Sequence, residues 1–385
     1  MAQNLGTSQD KKNIMTQNTK EIFKDVEIHT LICNKDLLLA INNFKSLQKF
    51  EEFDDVNVFL HDDGSLTESD IETLSVIKNV NVIRRVDADK LIVDYIKDYE
   101  NCLEYRLGSN KINLWHKIKL FDYFYFSKTK KVLGVDTDLL FLRKPENLIE
   151  NIINNIPFYF PDVQSAYCFN EPKTEIPVFE KVNTGLIYIP SEEHYDINHI
   201  ENALKNLIRN GVNYFPSWIE QSAFAHMFLK IGSYVSLEEN KHRIPYFQPV
   251  DINIVECLHF VSYPAVRETY KTYIEYLELD GGELVYENKH EVEYNENIIP
   301  LEYQIKKNNG VFVINYYWGL EKTKQQFLDH IFKIHTDNEI IERKLQSEKN
   351  GFFIFTTKSE KIKIEHTYDW FGDKKWADLG EIEIN

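Results

Sequence analysis

Cysteine is scarce. The chain holds four, Cys33, Cys102, Cys168 and Cys257, far apart, with no CxxC pair and no zinc-type spacing. This excludes a disulfide framework and a Cys-based zinc site, and the expectation is free thiols in a reducing cytoplasm. Basic residues are the second shortage. Lys and Arg number 44 against 61 Asp and Glu, a formal charge of −17. Such a surface repels phosphate backbones and anionic lipid at long range. With no local basic patch in the sequence, nucleic-acid binding is not expected. Long apolar runs are absent too: none approaches the roughly 20 residues that a membrane span requires. Residues 1–25 are polar, lack an apolar signal-peptide core and read as a flexible leader. A cytoplasmic protein follows, compatible with at most peripheral membrane association.

Hydrophobic residues make up 43% and charged residues 27% of the 385, which is a globular composition with room for two or three domains. The 22 Tyr and 25 Phe suit a core and sugar stacking equally. An acidic protein that binds an anionic nucleotide needs a divalent cation, or well-placed Lys and Arg, at the site.

Short apolar runs alternate with amphipathic segments. Val26 to Cys33 reads as a strand, then Asn34 as the cap of a helix with Leu37, Leu38, Ile41, Phe44 and Leu47 at helical spacing. Val56 to Leu60 is a second strand ending in His61-Asp62-Asp63-Gly64-Ser65. Thr67 with Asp70 forms a capping-box variant. Further strands are expected at Val80 to Ile83, Lys131 to Val135 and Leu186 to Ile189, and helices at Asn113 to Phe126 and Ser217 to Leu229. The alternation predicts an α/β fold with a doubly wound, mostly parallel sheet. After about residue 270 the pattern changes. A hairpin is expected over Ile274 to Tyr286 and a helix over 321–346. Strands are expected at Val311 to Tyr317, Phe352 to Thr356 and Lys361 to His366. The domains expected are thus 26–270 and a smaller α+β extension, 271–385.

In doubly wound sheets ligands bind beyond the carboxyl ends of the strands. Asp62-Asp63 and Asp136-Thr137-Asp138 both fall at such ends. In extended chain Asp136 and Asp138 point the same way, so one hard cation can engage both. An acidic pair often merely ends a strand on its solvated side. The apolar flanks Val132 to Val135 and Leu139 to Leu142 oppose that reading here, because a buried pair without a cation is costly.

These segments together resemble the sugar-nucleotide transferases of GT-A fold, and family 8 glycosyltransferases in particular. Ile28-His29-Thr30-Leu31 is similar to the family's first strand, and Asp62-Asp63-Gly64-Ser65 to its second-strand acidic turn. Lys119-Leu120, Asp136-Thr137-Asp138, Asn183-Thr184-Gly185, Glu220-Gln221 and His259-Phe260 match further patterns in order. The likeness spans residues 26 to 270. It implies Mn²⁺ or Mg²⁺ on Asp136, Asp138 and His259, and a nucleoside-diphosphate-sugar donor, above all a UDP-sugar. His29, Asp63, Lys119, Asp136 and Arg267 would contact that donor, Lys117 and Arg106 competing with Lys119 for the phosphate. Catalysis would involve Glu220, Gln221 and Asn183, with a glycan or lipid-linked hydroxyl as acceptor and retention slightly favoured over inversion. The family's His-x-x-Gly-x-x-Lys-Pro-Trp is absent, Arg267 standing near the place of its Lys.

Each residue has a structural alternative: His259 as a core histidine, Lys119 as a solvated lysine, Asp63-Gly64 as a plain turn, Asn183 as a loop residue. Glu220 and Gln221, adjacent on one helix, are expected to send at most one side chain inward. Two other functions fit the same outline. A nucleotidyltransferase would usually carry a Gly-rich loop after the first strand, and residues 34–48 have no Gly. A non-catalytic carbohydrate-binding or interaction protein has no need of intact carboxylates at 136 and 138.

Overall fold

The structure is a computed structural model, which describes residues 19–107, 116–168, 181–209, 216–245, 250, 252, 254–262, 264–279, 283–294, 297–308, 311–318, 329–346, 350–369 and 377–383. Most of the expected leader and part of the expected 113–126 helix lie outside them. By contacts the chain divides into two units: Met1–Ile244 with Glu256–His259, and Pro245–Val255 with Phe260–Asn385.

The first unit is built on the sheet that the sequence predicts. Its strands are β1 (Val26–Ile32), β2 (Asn57–Asp62), β3 (Val80–Ile83), β4 (Lys131–Val135), β6 (Phe158–Pro161), β7 (Val182–Ile189) and β8 (Val235–Ser236), with β5 (Leu139–Phe141) outside it. The order is β3-β2-β1-β4-β7-β6-β8. β1 pairs in parallel with β2 and β4, and β2 with β3, while β7 is antiparallel to both β4 and β6. β4 and β7 are buried along nearly their whole length, as strands covered on both faces are. A small second sheet joins β5 to β10 (Cys257–His259) and β10 to β9 (His242–Arg243).

Two helices cover the middle of the large sheet, Lys117–Phe126 and Ile219–Ile231. Their Leu120, Phe121, Phe124, Ile219, Phe224 and Phe228 share one core with Val132, Ile187 and Ile189. The second helix ends at Gly232 in the left-handed conformation, φ 71°, a glycine C-cap. The Thr67–Asp70 capping box forms as expected. Asn34 does not cap: residues 34–36 make a 3₁₀ turn and the helix begins at Leu37. On that helix Leu38 is 67% exposed, whereas Asn43 and Ser46 are buried. The core side therefore carries polar groups, and both are used at the site.

In the second unit the helix Pro264–Leu279 occupies the start of the expected 274–286 hairpin, and the sheet strand begins only at Glu283. Two antiparallel four-stranded sheets follow. One has the order β11 (Glu283–Tyr294), β12 (Asn297–Asn308), β13 (Val311–Trp318), β16 (Asn350–Thr356), and the helix packs on it. The other has the order β15 (Ile340–Gln346), β14 (Asp329–His335), β17 (Lys361–Asp369), β18 (Ala377–Glu383). β14 and β15 replace the described part of the helix expected over 321–346. Ile331, Phe332 and Ile334 are all buried, a spacing that suits a helix face as well as a strand in a core.

One ion network ties the helices Arg85–Ile96, Glu100–Leu107 and Lys117–Phe126 together. Arg106, fully buried, donates from Nε and Nη2 to the two oxygens of Asp122, both at 2.8 Å, and from Nη1 to Asp89 at 2.6 Å. Removing one partner of such a pair strands the other. Arg106→Ala is expected to lower the urea midpoint by the equivalent of about 3–5 kcal/mol, because Asp122 would be left buried without its cation.

Candidate metal and donor site

Asp136 and Asp138 stand where β4 leaves the sheet. The Asp136 amide donates to the Gly185 carbonyl at 2.7 Å, and Asn43 Nδ2 donates to the Asp136 carbonyl at 2.7 Å. Ser46 Oγ accepts from the Phe141 amide at 3.0 Å and donates to the Asn43 carbonyl at 2.7 Å. The turn carrying both carboxylates is thus fixed from both sides.

His259 arrives from far along the chain because β10 pairs antiparallel with β5 in the register His259↔Leu139, next to Asp138. Its Nε2 lies 3.1 Å from Asp138 Oδ1 and 4.0 Å from Asp136 Oδ2. One ligand atom from each of the three residues lies within 4.8 Å of the others. His259 Nδ1 is buried without a hydrogen-bond partner among the described residues. Two carboxylates and an imidazole form a donor set that fits Mn²⁺ or Mg²⁺. Gly185 makes the arrangement sterically possible: a Cβ there would stand 2.3 Å from His259 Cε1 and 2.8 Å from Nε2.

Lys119 is 4% exposed and ion-paired with Asp136. Burial opposes its charge, but Asp136, Glu220 and Asp138 outweigh burial and raise its pKa. Glu220 is 3% exposed; burial lifts its pKa to about 7, against the pull of Lys119 and with the push of Asp136. Its Oε2 accepts from Thr184 Oγ1 at 3.1 Å, and its Oε1 is buried without a hydrogen-bond partner among the described residues. Gln221 is also buried, donating to the Ala166 carbonyl at 2.8 Å. The expectation that only one of this pair faces inward is therefore corrected. The helix Ile219–Ile231 is covered on nearly every side, so adjacent residues reach different buried partners.

Asn183 is buried within β7, not in a loop before it. Its Oδ1 accepts from the Gly185 amide at 2.8 Å and its Nδ2 donates to Asp162 Oδ2 at 2.9 Å. Asp162 is buried, and burial raises its pKa against the Asn183 hydrogen bond and the attraction of His259. Asp162 and Thr184 are site residues that sequence reasoning does not reach. The only signal for Asp162 is its place after the apolar run Phe158–Pro161, another acidic residue at a strand end.

The remaining candidates lie elsewhere. Asp62 is the structural half of its pair: its Oδ1 accepts from the Gly64 and Leu66 amides at 2.7 and 3.1 Å, and Gly64 takes φ 101°. Asp63, partly exposed, accepts from the Ser65 amide at 2.9 Å. His29 is fully buried, Nδ1 at 2.9 Å from His61 Nε2 and its ring stacked on Phe59. Burial lowers its pKa, so the ring is a neutral core group in this conformation. Arg267 belongs to the second unit, on the helix Pro264–Leu279.

No protein-family profile matches the chain, and no curated protein matches it in sequence. Among solved structures it is similar to glycosyltransferases. Mouse xyloside xylosyltransferase 1 aligns over 62% of this chain and 98% of its own, at 14% identity and TM-score 0.45. An active-site mutant of LgtC aligns over 66% and 95%, at 13% identity and TM-score 0.44. The Saccharomyces cerevisiae mannosyltransferase Ktr4p, in complex with GDP, aligns over 62% and 80%, at 13% identity and TM-score 0.36. Likenesses this distant say nothing of activity, which has to be read from the residues themselves.

Gly185→Ala is expected to push the His259 ring away from Asp138 and to weaken Mn²⁺ binding by about 10–100-fold, the cost usual for a lost supporting residue. Metal titration followed by thermal shift checks this; unchanged affinity would place His259 outside the ligand set. Glu220 adds a pH dependence. Its folded pKa, about 7, lies above the ordinary 4.5, so the folded state holds the extra proton between those values. Stability should fall as pH rises from about 4.5 to about 7 and level off above. Glu220→Gln should flatten that slope in urea titrations across the range.

Proposed function

We propose that the chain is a metal-dependent GT-A-type glycosyltransferase. It moves a sugar from a nucleoside-diphosphate donor, a UDP-sugar first, to a hydroxyl of a glycan or lipid-linked acceptor. One observation carries this: Asp136, Asp138 and His259 converge at the carboxyl end of a parallel strand, with the buried Lys119 on Asp136. That is the place where ligands bind in such sheets, and the group combines a hard-cation donor set with a phosphate-binding charge. When bound, Mn²⁺ or Mg²⁺ supplies Lewis-acid stabilisation of the departing diphosphate and orients it.

The other roles belong to the chain's own side chains. Lys119 holds positive charge beside the diphosphate in a dry setting, where electrostatic stabilisation needs little reorganisation. Asp63, just after β2, accepts from the base or ribose. Glu220, Gln221 and Asn183 serve the reacting sugar. Of these, Glu220 keeps a buried oxygen with acceptor capacity to spare among the described residues, suited to a donor-sugar hydroxyl. The acceptor hydroxyl attacks the anomeric carbon as the nucleoside diphosphate leaves. All four cysteines are free, in keeping with a reducing, cytoplasmic setting. Among the described residues no helix is long and apolar enough to cross a membrane.

Asp138→Ala is expected to lower donor hydrolysis and transfer by at least about 100-fold in excess Mn²⁺. Wild-type turnover in that variant would remove the metal assignment. In thermal shift, a nucleoside diphosphate should stabilise the wild-type protein only with Mn²⁺ present, and Asp138→Ala should lose the effect. Equal stabilisation in chelator would contradict the reading.

A further inference from the structure

His259 lacks the support that metal-binding imidazoles usually have. A histidine that binds a metal through one nitrogen ordinarily donates its other N–H to a carboxylate, a carbonyl or water, which sets the tautomer and the ring plane. His259 turns Nε2 to Asp138, and its Nδ1 is buried with no hydrogen-bond partner among the described residues. The torsion that sets an imidazole's plane is broad, so packing has to supply the constraint that the hydrogen bond does not.

Two neighbours supply it. Gly185 lies against the ring: a Cβ there would stand 2.7 Å from Nδ1 and 2.8 Å from Nε2. Phe160, fully buried, meets the ring at close to a right angle, with centroids 5.4 Å apart and planes at 80°. Phe160 is in turn braced by His242, at 5.8 Å and 89°. His242 is fully buried on β9, its Nδ1 3.1 Å from the Glu238 carbonyl oxygen. Burial pulls its pKa down to about 4, so at neutral pH it is an uncharged ring that does not repel a cation. The backbone explains why Phe160 stands there. β6 and β7 pair regularly at Phe158↔Tyr188 and Tyr159↔Ile187, then step to Phe160↔Asn183. Thr184, Gly185 and Leu186 are passed over on the β6 side, and a break of this kind re-aims the side chain beside it.

We propose that Phe160 is a positioning residue for metal binding. Its ring, braced by His242, holds the His259 imidazole with Nε2 toward Asp136 and Asp138, in place of the hydrogen bond that Nδ1 does not make. The inference rests on the metal reading of Asp136, Asp138 and His259. Phe160 has no atom that could bind the ion, so its effect has to pass through His259.

The probe is Mn²⁺ alone, titrated into the full chain and followed by electron paramagnetic resonance. Phe160→Leu keeps an apolar side chain but removes the ring, and should weaken binding by about 10-fold, the lower end of what a lost supporting residue costs. At saturating Mn²⁺ the spin-echo modulation from an imidazole nitrogen should fall in Phe160→Leu, as it should in His259→Ala. In the His259→Ala background, Phe160→Leu should change the affinity by less than about twofold, since nothing is left to position. Phe160→Met, whose flexible chain fills irregular space, should repeat this pattern and serves where Phe160→Leu folds poorly. Equal weakening in both backgrounds would make Phe160 a general support of the fold and overturn the inference. Asp138→Ala tells the two failures apart. If Asp138→Ala leaves Mn²⁺ binding unchanged, the metal assignment fails and the inference with it. If Asp138→Ala abolishes binding while Phe160→Leu and Phe160→Met keep wild-type affinity and nitrogen modulation, the inference alone fails.

Discussion

The Lys119–Asp136 ion pair is the constraint on which the rest of the site depends. The apolar flanks that bury β4 also deliver carboxylates to a place where water is scarce. Asp136, Asp138 and Glu220 all act on the single ammonium of Lys119. One cation faces three carboxylates, and Glu220, pushed up above all by burial and further by Asp136, holds its proton up to about pH 7. A divalent ion on Asp136, Asp138 and His259 would supply the balancing charge.

How the deficit is held open is a matter of packing. Asp138 and His259 stand together because β5 and β10 pair in one register, and that register needs the space above Gly185. Asn183 ties the Gly185 amide to Asp162, and Thr184 on the same strand reaches Glu220. Three consecutive residues of β7 therefore serve three neighbours: the carboxylate of Asp162, that of Glu220 and the imidazole of His259. Asn43 and Ser46 perform the matching task from the opposite side of the 136–141 turn.

What can be read from sequence is what depends on neighbours along the chain. The Asp136–Asp138 pair, the Thr67 capping box and the alternation of strands and helices are local patterns, and they appear as expected. His259 is invisible to such patterns and is reached only through the resemblance, because its partner lies on a distant strand. Asn43 and Ser46 break the apolar periodicity of their helix, so a hydrophobicity pattern places Leu38 inward and these two outward, the reverse of what is seen. Glu220 and Gln221 mislead in a different way: helical geometry forbids a shared face, but a helix buried nearly all round has no outer face to send one of them to. In the second unit Ile331, Phe332 and Ile334 satisfy both a helix and a strand, and only the pairing partners decide.

Charge imbalance, more than motif, distinguishes the functional ends of this fold. The protein carries an overall charge of −17, and surface ion pairs such as Lys24–Glu21, Lys90–Asp87 and Lys241–Glu238 are i,i+3 contacts of little energetic weight. Inside, the first turn of the helix Lys117–Phe126 sets one ammonium, that of Lys119, against Asp136, Glu220 and Asp138. That excess of carboxylate does not stabilise the chain alone, since an unpaired buried charge is a cost at any position. A cation held by Asp136, Asp138 and His259 would offset it, so the same arrangement that costs stability is the one that suits a cationic ligand.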